Sequence, residues 1–439
     1  MTGNLIRRDL LKAGAALIGT EALASGSTVL AATRSRKPFL FGAATAGHQV
    51  EGNNVNSDIW FLENIRPTKF AVRSGDACDS YHRYEEDIRL LKSFGLNCYR
   101  FSVEWSRIEP SPDQFSNAEL SHYQRMIETC RKHDISPIVT FNHFSCPQWF
   151  SARGGWTKAD SADLFARYCD KTARRLAAGI HMATTLNEPQ VKRIQRWIKA
   201  FSTPTSFATL ERQREAARIS SGSPDYMPFH LADDDLVLPN LIQAHKSGYA
   251  AIKAVAPDLP VGVSLAIIDY QADGPQSRLA EVQDYVNGAW LKAATETGDF
   301  VGVQNYGRDI VGVTGMLPPP PSSERNMLTQ EFYPAGLGNA VNFVHQVTGK
   351  PILVSENGIA TRDDAQRVRY IDAALSSLRG AVDKGVPVLG YIHWSLLDNF
   401  EWSLGFAPTF GLVAINRETF KRTPKPSSSH LRLKVREWT

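Results

Sequence analysis

Eight short apolar runs, alternating with longer amphipathic stretches, constrain this chain more than any other feature. The runs are Phe39–Ala46, Leu96–Glu104, Pro137–Asn142, Met182–Glu188, Val261–Ile267, Phe300–Tyr306, Ile352–Glu356 and Val388–Trp394. Most are rich in Val, Ile, Leu, Phe and Tyr, as strands buried on both faces of a parallel sheet are. Between them lie the helical patterns Tyr81–Phe94, Asn117–His133, Ser161–Leu176, Leu236–Ala254, Arg278–Thr295, Gly336–Val347 and Asp363–Val382. Gly95 supplies a stop after the first, and Asn117 is a good N-cap for the second. Strand then helix, repeated about eight times, predicts an α/β fold, a single (β/α)8 TIM barrel. A doubly wound open sheet is the competing architecture. It favours a Gly-rich phosphate turn after the first strand, and Gly42–Gly52 lacks the G-x-G-x-x-G spacing.

At 439 residues the chain exceeds the usual length of one domain, but α/β barrels commonly do so. Two connections are longer than a barrel needs, after strands 4 and 6. They are Gln190–Asp235, with Trp197, Phe201, Phe207, Tyr226 and Phe229, and Arg308–Glu331, with the run Pro318–Pro321. Long loops at the carboxyl ends of barrel strands shape substrate entrances, so both are expected there.

The first 32 residues read differently. Arg7-Arg8 precedes an Ala/Gly-rich, mildly apolar stretch from Ala13 to Ala24, and Ala31-Ala32 offers a small-residue cleavage site. This resembles a bacterial twin-arginine export signal, although Glu21 interrupts the apolar stretch. The expectation is a signal over 1–32, a catalytic domain over 33–439, and a periplasmic or secreted product. No other apolar run nears a membrane span. The five cysteines form no C-x-x-C pair and are odd in number, so isolated buried thiols are expected rather than disulfides or zinc. A net charge of +4, spread out, gives no basic stripe for nucleic acid.

Polar residues recur where the strand candidates end: Gln49 and Glu51, Arg100 and Glu104, His143, Asn187 and Glu188, Tyr306, Glu356 and Asn357, and Trp394. In a barrel these positions converge on one rim. Two carboxylates on one rim suit glycosidic bond cleavage, where one protonates the departing oxygen and the other attacks carbon or activates water. Glu188 precedes Pro189, which is expected to hold it extended. Glu356 is followed by Asn357-Gly358, where the glycine permits a sharp turn. Which glutamate plays which role does not follow from these residues alone.

From about Phe39 to its end the chain resembles family 1 of the glycoside hydrolases, the β-glucosidase family. The resemblance rests on Phe41-Gly42-Ala43-Ala44-Thr45 with Gln49-Val50-Glu51-Gly52, on Tyr81 to Ile88, and on Tyr99 to Ser102 with Trp105 to Ile108. Thr185 to Pro189, Val354 to Ile359 and His393 to Trp402 complete it, in family order. It implies that Glu188 is the general acid/base and Glu356 the nucleophile, with net retention through a covalent glycosyl-enzyme. Arg100 and Tyr306 would bracket Glu356 and keep it ionised. Gln49, His143, Asn187, Glu401 and Trp402 would hold sugar hydroxyls, and Trp394 would stack beneath the ring. The substrate implied is a small-molecule β-glycoside or oligosaccharide, without cofactor or metal. Relatives that act on phosphorylated sugars replace the Glu401-Trp402 pair, so a neutral hexose is expected.

The chain also departs from the family. Phe144 stands where tryptophan is usual, and Gln304 replaces an asparagine. Ala266–Asp299 is short. This shortening and the correspondingly unusual Gln190–Asp235 loop fall on the leaving-group side, while Phe144 bears on the aglycone edge or the sugar wall. A transglucosidase using an alcohol acceptor, with Trp197 and Phe207 near it, is the second enzymatic reading. A non-catalytic carbohydrate-binding protein is the third, although such proteins typically lack one glutamate.

Overall fold

The computed structural model describes residues 38–198 and 204–438; the expected export signal and Phe201 lie outside them. Eight strands close into one parallel barrel. They are β1 (Leu40–Ala44), β2 (Cys98–Ser102), β3 (Ser136–Asn142), β4 (Met182–Asn187), β5 (Val261–Ala266), β6 (Phe300–Asn305), β7 (Ile352–Asn357) and β8 (Val388–Trp394). Pairing runs in sequence order and ends with β1 against β8, where Ala44 faces Trp394. This is the (β/α)8 barrel and excludes the open sheet.

Each strand is followed by a helix on the outside: α1 (Ser80–Ser93), α2 (Asn117–Lys132), α3 (Ser161–Leu176), α4 (Asp234–Val255), α5 (Leu279–Glu296), α6 (Gly336–Thr348), α7 (Asp364–Asp383) and α8 (Pro426–Trp438). In α1 the apolar face of Ile88 and Leu91 is buried, and Gly95 follows at φ +75 as the expected stop. The cap of α2 is Ser116, not Asn117; its hydroxyl accepts from the Glu119 N–H at 3.3 Å. Ser116 and Glu119 have the spacing of a capping box. The α5 pattern is broken by a π turn at Asp284–Gly288. Helix α8 had no counterpart among the seven helical patterns, since only Leu431 and Val435 give it a buried apolar pair. Its Trp438 packs on Phe39 and Phe41 at centroid distances of 4.9 and 5.6 Å, tying the chain's end to the start of β1.

Strand alternation explains the layering. Leu40, Cys98, Ile138, Met182, Phe300, Leu353 and Ile392 form one buried cluster drawn from seven strands. Gly262 of β5 has no side chain to add. Two residues further along, the same faces of β2 and β8 present Arg100 and Trp394. A closed apolar layer thus supports a polar one above it, at the carboxyl end of the barrel. All five cysteines are buried and free. Among the described residues no helix is long and apolar enough to cross a membrane.

Candidate active site

A cavity of about 400 Å³ opens above the polar layer. Its wall includes His143, Asn187, Glu188, Tyr306, Glu356, Trp394, Glu401 and Trp402. The structure therefore gathers eight of the ten expected site residues in one space. Arg100 and Gln49 sit directly behind it. Arg100 is fully buried and donates from Nη1 to Glu356 Oε1 at 2.5 Å. Tyr306 donates its hydroxyl proton to Glu356 Oε2 at 2.6 Å. Gln49 Nε2 donates to the Phe400 carbonyl at 2.8 Å and approaches Glu401 Oε2 at 3.4 Å.

Two expected rim residues are structural instead. Glu51 pairs with Arg107 at 2.8 Å and accepts from the Tyr123 hydroxyl at 3.1 Å. Glu104 is taken up by Asn54 at 2.8 Å and by Ser145. Both are buried away from the cavity.

The local backbone differs from the simple sequence expectation at both glutamates. Glu188 is not extended: its φ is +43, in the left-handed region that the following Pro189 disfavours. Its N–H donates to the Ser264 carbonyl of β5 at 2.8 Å, and its carbonyl accepts from Val191 at 3.0 Å. Neighbouring structure thus holds a conformation that costs energy, a pattern that clusters at functional sites. Phe144 at φ +70 and Trp402 at φ +50 share it. After Glu356, Gly358 is required for space rather than for a left-handed turn. A Cβ there would stand 2.0 Å from the Trp394 carbonyl oxygen.

The two catalytic candidates differ electrostatically. Burial raises the pKa of both. For Glu356, burial outweighs the expected lowering, although Arg100 and the Tyr306 hydroxyl oppose it. Glu188 has no such donor among the described residues; burial, then the charges of Glu356 and Glu401, push it up to about 8. The proton of the pair therefore belongs on Glu188 and the negative charge on Glu356. Glu401 is also raised to about 8, by burial first, while hydrogen bonds from Trp394 and Gln49 oppose the rise. His143 is held neutral, its pKa pushed well below 6.5 by burial and by Arg100.

Aromatic packing builds the remaining wall. His143 lies between Trp394 and Trp402, at centroid distances of 5.8 and 6.0 Å with nearly parallel planes. Several buried polar atoms find no protein partner among the described residues: Gln49 Oε1, His143 Nδ1 and Glu401 Oε1. Unpaired buried polar atoms are costly. Sugar hydroxyls would satisfy them.

The loops contribute unevenly. Phe229 and Lys192 after β4, and Leu328 and Gln330 after β6, line the cavity. Trp197 does not; it packs with Tyr285 at 5.9 Å beneath Arg278. Tyr226 belongs to a cluster with Ile59 and Phe400. The Phe207 side chain lies outside the described residues. Sequence reasoning missed Lys69, Lys192 and His230, which also line the cavity. Lys192 follows Glu188 by four residues, at the start of the helix Val191–Trp197, a closeness in sequence that could have flagged it. Nothing local flags Lys69.

Comparison with known proteins places the fold and the family. A solved β-glucosidase, named 1317, superposes with a TM-score of 0.88 at 41% identity, covering 91% of this chain and 98% of that one. Beta-glucosidase A of Acetivibrio thermocellus is 27% identical over 89% of this chain and 96% of its own length. A bifunctional beta-D-glucosidase/beta-D-fucosidase of Bifidobacterium breve is 27% identical over the same shares. The family profile of glycosyl hydrolase family 1 matches residues 32–306 and 292–435. The chain is a glycoside hydrolase and belongs to glycosyl hydrolase family 1.

Proposed function

We propose that the chain hydrolyses terminal non-reducing β-D-glucosides with retention, with some activity on β-galactosides or β-fucosides. The observation that carries this is the unequal provision for two glutamates on one cavity. Glu356 receives Arg100 and Tyr306, while Glu188 receives no donor among the described residues and is pushed up in pKa. In the first step a Glu356 oxygen bonds to the anomeric carbon as the glycosidic bond breaks, and Glu188 gives its proton to the leaving oxygen. In the second, Glu188 takes a proton from water as that water's oxygen displaces Glu356. The sum is glycoside plus water to sugar plus alcohol.

Gln49, His143, Asn187, Glu401 and Trp402 would bind hydroxyls, with Trp394 beneath the ring. Kinship with β-glucosidases and a β-glucosidase/β-fucosidase supports the sugar class. The transglucosidase reading loses Trp197 as an acceptor platform, since that ring packs away from the cavity. Residues 1–32 we read as a twin-arginine export signal, on the strength of Arg7-Arg8 and the Ala31-Ala32 site. Fusion of that segment to a reporter exported only when folded checks it.

The deciding experiment is hydrolysis of chromogenic β-glycosides by the protein, by Glu188→Gln and by Glu356→Gly. Rapid β-glucoside turnover should collapse about 10³-fold in the variants. Azide should rescue Glu356→Gly as the inverted glycosyl azide. Wild-type turnover in Glu356→Gly would overturn the nucleophile assignment.

A further inference from the structure

The cavity is not electrically uniform. Its wall carries the carboxyl groups of Glu188, Glu356 and Glu401 and also the two lysines Lys69 and Lys192. The charges acting on Glu188 are Glu356, Arg100 and Glu401, so neither lysine serves as a counter-ion to the acid. Lys192 lies on the helix Val191–Trp197 that leaves Glu188 directly, and Val191 lines the cavity beside it. That places the cation on the side from which the leaving group departs.

Neither lysine pairs with an anion among the described residues. Lys192 Nζ donates to the His230 carbonyl at 3.1 Å, which occupies one of its three protons. The acids that act on it, Asp234 and Asp233, are already paired with Arg193 and Arg196, each at 3.1 Å. Lys69 has no hydrogen-bond or ion-pair partner among the described residues. The segment 199–207 contains no Asp or Glu that might supply one. Burial, with Lys69 and Arg214 nearby, pulls Lys192 down to about 7; burial alone pulls Lys69 down to about 8. Burial, then the charges of Lys69 and Lys192, hold His230 neutral, and its buried Nδ1 has no partner among the described residues. Two half-buried cations and an open imidazole nitrogen, all facing one cavity, form a costly arrangement that a bound anion would relieve.

The adjoining wall is flat and apolar. Phe144 stacks on Phe229 at 5.8 Å with planes 9° apart, and meets His230 edge-on at 5.7 Å. Such a wall suits an aromatic ring.

We infer that the leaving-group site selects an aglycone bearing a carboxylate, carried on an aromatic body, with Lys192 and Lys69 as its specificity-determining residues. This rests on the glucosidase reading above and refines it. The same carboxylate chemistry occurs on a uronic acid, and the apolar wall favours the aromatic carrier.

The test compares kcat/KM for 3- and 4-carboxyphenyl β-D-glucosides with their carbamoylphenyl counterparts, and for β-glucosyl-glucuronic acid with cellobiose. Wild type, Lys192→Met, Lys69→Met and Lys192→Arg are each measured. Taking the ratio between enzymes cancels the intrinsic reactivity of each leaving group. The anionic-to-neutral preference should fall about tenfold in either methionine variant. It should survive in Lys192→Arg and shrink in 0.5 M salt. Loss of preference for the aryl pair supports the aromatic carrier; loss for the disaccharide pair alone supports the charge but overturns the carrier. Hydrolysis of the neutral glucosides with a preference that no lysine variant changes overturns this inference and leaves the glucosidase reading intact. Inactivity of wild type on every glucoside overturns both.

Discussion

Arg100 Nη2 donates to Asn187 Oδ1 at 2.6 Å. The same arginine's other amino group holds Glu356, so one buried cation fixes the amide proposed to bind sugar and the carboxylate proposed as nucleophile together. Gln304 Nε2 supplies a second proton to the same Oδ1 at 2.8 Å. With Oδ1 doubly occupied, the Asn187 amide must present Nδ2 to the cavity, where it lies 3.3 Å from His143 Nε2.

This gives Gln304 a definite role, although it replaces a residue usual in the family. Gln304→Met removes one donor to a buried acceptor, a loss of about 1–2 kcal/mol. The expected result is a roughly tenfold fall in kcat/KM for aryl β-glucosides. Gln304→Asn should behave similarly, because its shorter side chain falls short of Asn187. Unchanged kinetics in both variants would show that Arg100 alone orients the amide.

The raised pKa of Glu188 predicts the alkaline limb of the pH profile. The acid must be protonated for leaving-group departure, so kcat/KM should fall as pH rises through about 8. Glu401 is raised to the same region, and a variant separates the two. On a substrate whose leaving group needs no protonation, Glu188→Gln should be active without that limb. A limb persisting in Glu188→Gln would transfer the titration to Glu401. Stability follows the same sign. A carboxyl raised in the folded state binds its proton more tightly there, so stability is lost between the ordinary pKa of 4.5 and about 8. Glu188→Gln should therefore raise Tm at pH 8 and leave it unchanged near pH 4.

Gly358 couples β7 to β8. A Cβ at this position would stand 2.0 Å from the Trp394 carbonyl oxygen, which belongs to backbone and cannot swing aside. Gly358→Ala should cost about 2–3 kcal/mol by overpacking. Because the shift separates Trp394 from Glu356, activity should fall more than stability does. Equal losses of both would mean that the strand pair moves as a unit.

Much of this site was legible because barrel geometry converts strand ends into a ring. Arg100, Asn187, Tyr306, Glu356 and Trp394 were placed by periodicity, and family motifs supplied roles that periodicity does not. What escaped depended on contacts distant in sequence. Strand-end position alone does not separate Gln49, held at the site by Phe400 and Glu401, from Glu51, turned away toward Arg107 and Tyr123. The left-handed backbone of Glu188 escaped because Pro189 argues against it locally, while a hydrogen bond to Ser264 in the next strand enforces it. Lys69 lies far from every motif and meets the cavity only through the fold. Helix α8 carries too short an apolar face to announce itself.

The Glu51–Arg107 pair offers a sharp check on the division between site and support. Burial pushes Glu51 up to about 7 even with Arg107 beside it and Tyr123 donating to it. Arg107→Met would leave that carboxyl without its cation and should cost about 3–5 kcal/mol at neutral pH. The penalty depends on charge, so its sign with pH is fixed. Without Arg107 the folded-state pKa rises further, and stability is lost as pH rises from the unfolded value toward the folded one. The variant should therefore lie closest to wild type near pH 5 and furthest from it near pH 8. Adding Glu51→Gln should recover part of the loss at pH 8 and little at pH 5. Thermal unfolding of the three proteins, wild type, Arg107→Met and Arg107→Met with Glu51→Gln, at both pH values measures this. Because Glu51 does not line the cavity, KM for aryl β-glucosides should stay within about twofold wherever the variants remain folded, since surviving binding contacts are unchanged. A large rise in KM with unaltered Tm would return Glu51 to the sugar-binding rim.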